Sequence, residues 1–230
     1  MGARVRVVLA WSVHLFTAFG AIAGAAALLA VAAHDWDTAI LWMLVGLFID
    51  AVDGMAARRV GVDRLTPGFD GRRLDDMVDF LNYVIVPAVF LVETGLLPHP
   101  AWAALPILAS AYAFGQVDAK TEDDFFLGFP SYWNVLAIYL HLLGIEAGAG
   151  LWIVLGFAAA VFVPLRYIYP SRTRSLRPIT LAVLMAWGLS IVWVAAPVAP
   201  DPVWVWATLF GPAYYFGASL LLNLRRAQRG

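Results

Sequence analysis

The chain has 230 residues, of which 62% are hydrophobic and only 13% charged; its formal net charge is −1 and it has no cysteine. Soluble domains are about a quarter charged and roughly half apolar, so this composition is that of an integral membrane protein. The apolar runs are solid rather than alternating, which excludes a spanning β-barrel in favour of helices, and the missing thiols exclude disulfides, thiolate catalysis and Cys-ligated zinc.

Eight apolar segments follow one another at about Val7–Ala33, Thr38–Ala57, Leu74–Val92, Trp102–Gly115, Tyr132–Leu143, Leu151–Ile168, Ile179–Ala196 and Trp204–Leu224. The first follows Arg4 and Arg6 in the manner of a signal peptide, but it is too long and lacks a small-residue cleavage site, so it reads as a retained span. Its Gly20 and Gly24 form a GxxxG pair suited to close helix packing. The fourth and fifth segments fall short of the ~20 residues a crossing needs, and are expected to be tilted, re-entrant or shielded by neighbours. Trp36, Trp102, Trp152 and Trp204 lie near segment ends, where indoles anchor at the interface. The expected fold is an all-α, polytopic transmembrane helical bundle of about eight spans, forming one domain over residues 1–230.

Charge placement sets the expected orientation. With a cytoplasmic N-terminus, all 15 Lys and Arg fall on the cytoplasmic side: Arg4 and Arg6; Arg58, Arg59, Arg64, Arg72 and Arg73; Lys120; Arg166, Arg172, Arg174 and Arg177; then Arg225, Arg226 and Arg229. The opposite loops, around His34–Asp37, Glu93–Pro100, Gly144–Gly150 and Pro197–Pro202, hold none. This is the positive-inside pattern without an exception, and it predicts eight crossings with both termini cytoplasmic. No nucleic-acid partner is expected.

Within this apolar background, carboxylates stand out. Asp50 and Asp53 sit at the cytoplasmic end of the second segment, and Asp75 and Asp79 at the start of the third. Acidic groups at membrane depth are costly and mark a task or a partner. At about 100° per residue, Asp53 lies about 60° to one side of Asp50, with Ala57 about 20° away and Gly54 about 40° the other way. Asp75 and Asp79 are one helical turn apart on a common face with Gly71, whereas Asp76 points about 100° away. Four converging carboxylates repel unless cations intervene, and hard oxygen donors favour Mg²⁺ or Mn²⁺. Two such ions neutralise a diphosphate, Gly54, Ala57 and Gly71 leave room for close approach, and Arg58 can fork onto phosphate. The bland alternative pairs each Asp with Arg58, Arg59, Arg72 or Arg73; it suits one Asp pair better than two with small residues on the same faces.

The order D-x2-D-G-x2-A-R…G-x3-D-x3-D, here Asp50, Asp53, Gly54, Ala57, Arg58, Gly71, Asp75 and Asp79, resembles the signature of the CDP-alcohol phosphotransferases. Twelve residues separate Arg58 from Gly71, where most members have eight, and that spacing is similar to the bacterial phosphatidylcholine synthase branch. Val13-His-Leu-Phe-Thr17-Ala, the stretch from Phe125 to Asn134 and the eight-span layout resemble the same branch. The resemblance implies transfer of a phosphatidyl group from CDP-diacylglycerol to choline, giving phosphatidylcholine and CMP. It implies Asp50, Asp53, Asp75 and Asp79 as ligands of two Mn²⁺ or Mg²⁺ ions, with Asp79 also the base for the acceptor hydroxyl. Asp53, Gly54, Ala57, Arg58, Gly71 and Asp75 would line the CDP-diacylglycerol pocket. It further implies a homodimer in the bacterial inner membrane, with the active site facing the cytoplasm.

A quaternary ammonium makes no hydrogen bonds and favours aromatic faces. Tyr83, one turn beyond Asp79, and Tyr132 and Trp133, beyond the acidic loop of Asp118, Glu122, Asp123 and Asp124, are the candidate choline-binding residues. For each taken singly, interfacial anchoring competes equally. Asn134 is expected to make a polar contact, and His14 and His141 to be packed core histidines. Two other readings stand beside this one. A related transferase would use serine or a phosphorylated alcohol, the latter calling on Arg166, Arg172, Arg174 and Arg177. A cation-coupled transporter would need acidic residues near the midplane, whereas these cluster at one end of two spans.

Overall fold

A computed structural model of the chain describes residues 2–117, 121, 123–173, 176–196 and 202–228. Asp118, Lys120, Glu122, Arg174 and Arg229, and all of the Pro197–Pro202 loop except Pro202, lie outside the described residues. Helix α1 (Ala3–Ala32) and helix α2 (Trp36–Val60) pack along their lengths as a hairpin. His34 adopts φ 55° in the turn between them, and the Asp35 carboxylate accepts from the Thr38 N–H at 3.1 Å, capping α2. Gly61, at φ 73°, ends α2 in the left-handed conformation that glycine tolerates. A single turn, α3 (Val62–Leu65), leads to α4 (Gly71–Asp79), whose N-terminus is capped by Asp70 accepting from Arg73 N–H at 3.1 Å. The chain stays helical through a π-helical stretch, Phe80–Ile85, into α5 (Val86–Glu93).

Three glycines let this third rod close on the first two. An added Cβ on Gly20 would lie 2.6 Å from Val78 Cγ1, on Gly24 2.8 Å from Leu81 Cδ2, and on Gly46 2.6 Å from Asn82 Oδ1. The GxxxG pair therefore packs as expected, with the third rod as its partner. Asn82, 3% exposed, ties the junction: its Nδ2 donates to Gly20 O at 2.9 Å and Val78 O at 3.0 Å. Its Oδ1 has no hydrogen-bond partner among the described residues and rests against the bare Gly46 and Gly24 backbone, where weak Cα–H contacts are available.

The second half departs from the expected segments at one place. After a 3₁₀ turn (Pro100–Ala103) come α6 (Ala104–Gly115), strand β1 (Phe125–Leu127), α7 (Trp133–Leu142), α8 (Ala147–Val161), strand β2 (Arg166–Ile168), α9 (Arg177–Val194), α10 (Pro202–Thr208) and α11 (Phe210–Ala227). The segment drawn as Leu151–Ile168 is corrected: α8 stops at Val161, ahead of Pro164, which cannot continue a helix. Its last residues form β2, antiparallel to β1 in the register Phe125↔Ile168, Phe126↔Tyr167 and Leu127↔Arg166. This two-stranded sheet is a small addition to a mostly helical chain. The far edge of β2 is covered by α11: Tyr215 OH donates to Ile168 O (3.0 Å), Ser219 Oγ accepts from Ile168 N (3.1 Å), and Asn223 bonds both N and O of Arg166 (3.2 and 2.7 Å). These side chains, spaced four apart on one helix face, substitute for a third strand.

The fold is mostly helical, and among the described residues four helices are long and apolar enough to cross a membrane: Ala3–Ala32, Trp36–Val60, Arg177–Val194 and Pro202–Arg226. They correspond to the first, second, seventh and eighth expected segments. Large apolar side chains line their outsides; Leu29 is 73% and Leu189 71% exposed, a surface suited to lipid rather than water. The interior is closed by Met43, Phe90, Trp133, Ile138, Ile168 and Ile191, each 2% exposed or less.

Candidate active site

The carboxylates meet where the C-terminal half of α2 passes the start of the third rod. One carboxylate oxygen each from Asp50, Asp75 and Asp79 lies within 4.8 Å of the others, a separation that one cation can bridge. Asp76 is exposed and apart, as its helical angle predicted. Asp53 is 3% exposed, on the same side as Asp50, with Thr17 of α1 facing it. Its Oδ1 is buried without a hydrogen-bond partner among the described residues. Burying an acceptor unsatisfied costs ~1–3 kcal/mol, and more when it is charged; a bound cation removes that cost. The donor set and the orphaned oxygen therefore fit a hard divalent ion.

The small residues of the motif do different things. A Cβ on Gly54 would meet, among the described residues, only Arg58 Nη1, at 3.3 Å, so this face of α2 is open to a ligand. A Cβ on Gly71 would instead strike His14 Cε1 at 2.7 Å. His14, 5% exposed, uses that space to pair through Nε2 with Thr66 Oγ1 at 2.9 Å and to pack on Phe69 at 4.6 Å. Gly71 thus seats α4 against α1, a packing use that spacing did not reveal. Ala57 is half-buried and Arg58 exposed beyond it. Arg58 lies within electrostatic reach of Tyr169, Asp124, Arg172 and Arg177.

Of the three aromatic candidates, two come to the carboxylates. The Tyr83 phenol donates to Asp50 Oδ2 at 2.5 Å, and its ring lies 5.6 Å from that of Tyr132. Trp133 does not join them. It is fully buried, donates its indole N–H to Ser110 Oγ at 2.7 Å, and packs edge-on to Phe129. In its place stands Tyr215, 5.6 Å from Tyr132. The stripe Tyr215, Ser219, Asn223 on an apolar helix carried a signal for it. Asn134 Oδ1 accepts from Val135 N at 2.8 Å, and His141 packs on Phe90 and Trp36.

In the loop before β1, Asp123 receives both Arg166, at 2.7 Å, and Arg226. Burial pushes its carboxyl up, but hydrogen bonds from Arg226 and Thr121 and the charge of Arg166 outweigh it and bring it from 3.8 to about 2. Arg172 lies 3.8 Å from Asp124 and over the Tyr169 ring.

Sequence comparison gives this arrangement relatives. The chain is 34% identical over 221 residues to a phosphatidylcholine synthase of Pseudomonas aeruginosa, covering 94% of this chain and 92% of that protein. It is 35% identical over 183 residues to one from Borreliella burgdorferi, covering 78% of each. With one from Legionella pneumophila it shares 45% identity over 168 residues, 71% of this chain and 66% of that protein. No family model matches the chain.

Proposed function

The chain belongs to the bacterial phosphatidylcholine synthase family, and from that premise we propose that it transfers the phosphatidyl group of CDP-diacylglycerol to choline, releasing phosphatidylcholine and CMP. The observation that carries the reading is the convergence of Asp50, Asp75 and Asp79 within 4.8 Å at one end of two helices. Asp50, Asp75 and Asp79, with Asp53 beside them, would hold divalent cations, Mn²⁺ or Mg²⁺ and two in number. Such ions supply charge stabilisation at the phosphorus oxygens and at the departing CMP.

The chain's own groups do the rest. Asp79 takes the proton from the choline hydroxyl as that oxygen attacks phosphorus, and the phosphoanhydride bond to CMP breaks. Arg58 holds phosphate oxygens beside the open face at Gly54 and Ala57, while Gly71 keeps α4 at the distance the pocket needs. Tyr83 and Tyr132 offer ring faces to the trimethylammonium group. Trp133 supports that wall from behind, and Tyr215 completes it.

The enzyme would work as one domain and as a homodimer in the bacterial inner membrane, crossing it eight times. Its site would face the cytoplasm, which the one-sided Lys and Arg distribution supports. Purified protein in lipid nanodiscs, given CDP-diacylglycerol, Mn²⁺ and labelled choline, is expected to yield labelled phosphatidylcholine and CMP. Product with serine and none with choline would overturn the acceptor assignment.

A further inference from the structure

Tyr83 carries more than a ring face. It is 4% exposed, and its 2.5 Å bond to Asp50 Oδ2 is at the short end for a hydroxyl donating to a carboxylate. A carboxylate's terminal torsion is broad and roughly two-fold. A short donor bond removes that freedom while occupying only one of about four lone-pair positions. The tyrosine sits in the π-helical stretch that begins straight after Asp79. The wider i→i+5 turn presents Asn82 to the α1–α2 junction and the next residue, Tyr83, to Asp50; π-bulges of this kind recur at functional sites. The phenol is also braced from behind. Its ring packs on Tyr132, Tyr132 packs on Tyr215, and Tyr215 is fixed to the Ile168 carbonyl of β2 at 3.0 Å.

We propose that Tyr83 is a positioning residue of the metal site, acting through Asp50 by fixing its carboxylate toward Asp75 and Asp79. This rests on the cation reading given above, and it divides one side chain between two duties: the oxygen serves the metal ligand and the ring faces the choline ammonium. Outer-shell hydrogen bonds to metal ligands commonly govern affinity in this way, their loss costing ~10–100-fold.

The test is Tyr83→Phe, which keeps the ring and removes the donor, with Mn²⁺ binding measured by electron paramagnetic resonance on purified protein in nanodiscs without substrate. The expected result is Mn²⁺ affinity weaker by ~10–100-fold, with the choline KM near that of the parent; Tyr83→Leu is expected to raise the choline KM as well. In an Asp50→Asn background the same Tyr83→Phe change is expected to produce no further loss, because the two act as one unit. Thermal unfolding separates fold from metal. The expected outcome is an unchanged metal-free midpoint and a smaller rise on adding Mn²⁺. Parent-like Mn²⁺ affinity in Tyr83→Phe, or a lowered metal-free midpoint with an unchanged Mn²⁺-induced rise, would overturn the positioning role. A parent protein that binds no Mn²⁺ would overturn the cation reading itself.

Discussion

Asp79 stands at the meeting point of two demands, since its oxygen belongs to the carboxylate cluster and it lies one turn from the tyrosine that would face choline. A positioned general base contributes ~10²–10⁴-fold. Asp79→Asn is therefore expected to lower kcat by at least ~10²-fold while CDP-diacylglycerol still binds, as measured by labelled choline turnover alongside donor binding. Near-parent turnover would remove Asp79 from the chemistry. The meeting of Asp50, Asp75 and Asp79 was legible in part, because helical spacing alone stacks Asp75 and Asp79 on one face. The Tyr83–Asp50 bond was not, because the partners stand 33 residues apart and only tertiary packing joins them. The burial of Trp133 was hidden for a related reason. An aromatic residue beside an acidic loop looks like a ligand wall, but a serine pair (Ser110 accepting its indole, Ser131 receiving the Ser110 hydroxyl) draws it into the core.

At the scale of elements, the small sheet is what composition hid. A three-residue strand leaves no periodicity to read, and Arg166–Ile168 lay at the end of a solid apolar run. The Asp123 clamp adds to the sheet, joining the loop before β1 to Arg166 of β2 and Arg226 of α11. The Asp123 carboxyl is held at about 2 in the fold, below its ordinary 3.8. The folded state thus binds this proton less readily than the unfolded chain, so the clamp's contribution is fully present above the ordinary value and is lost as pH falls toward about 2. All three partners are partly exposed, which screens the effect. The expected outcome is a small stability deficit in Asp123→Asn at neutral pH that closes between pH 3.8 and about 2, followed by denaturant unfolding in detergent. A deficit that does not change over that window would mean the clamp contributes nothing through charge.

At the scale of the whole molecule, the N-terminal hairpin and the last two long helices matched their apolar segments, since length and hydropathy determine such elements directly. In the middle of the chain α6 and α7 fall on their expected segments but are short, with α6 packed on α8 and both α6 and α7 on the third rod, and the segment expected to reach Ile168 ends at Val161 ahead of Pro164. The lack of native cysteine makes the proposed topology open to single-cysteine labelling. Positions near Arg59 and Arg225 are expected to react only with reagent admitted to the cytoplasmic side, and positions near Asp35 and His99 only from outside. Labelling of Arg59 and Asp35 positions from the same side would break the hairpin's crossing.

The crowding of the carboxylates at one end of α2 and α4 also has a mechanical consequence. With the site facing the cytoplasm as proposed, every turnover renews lipid in a single leaflet and none in the other. Synthesis then converts an anionic-precursor leaflet into a zwitterionic one from within. Any even sharing of the product between the two halves of the bilayer must be the work of a separate lipid-flipping step.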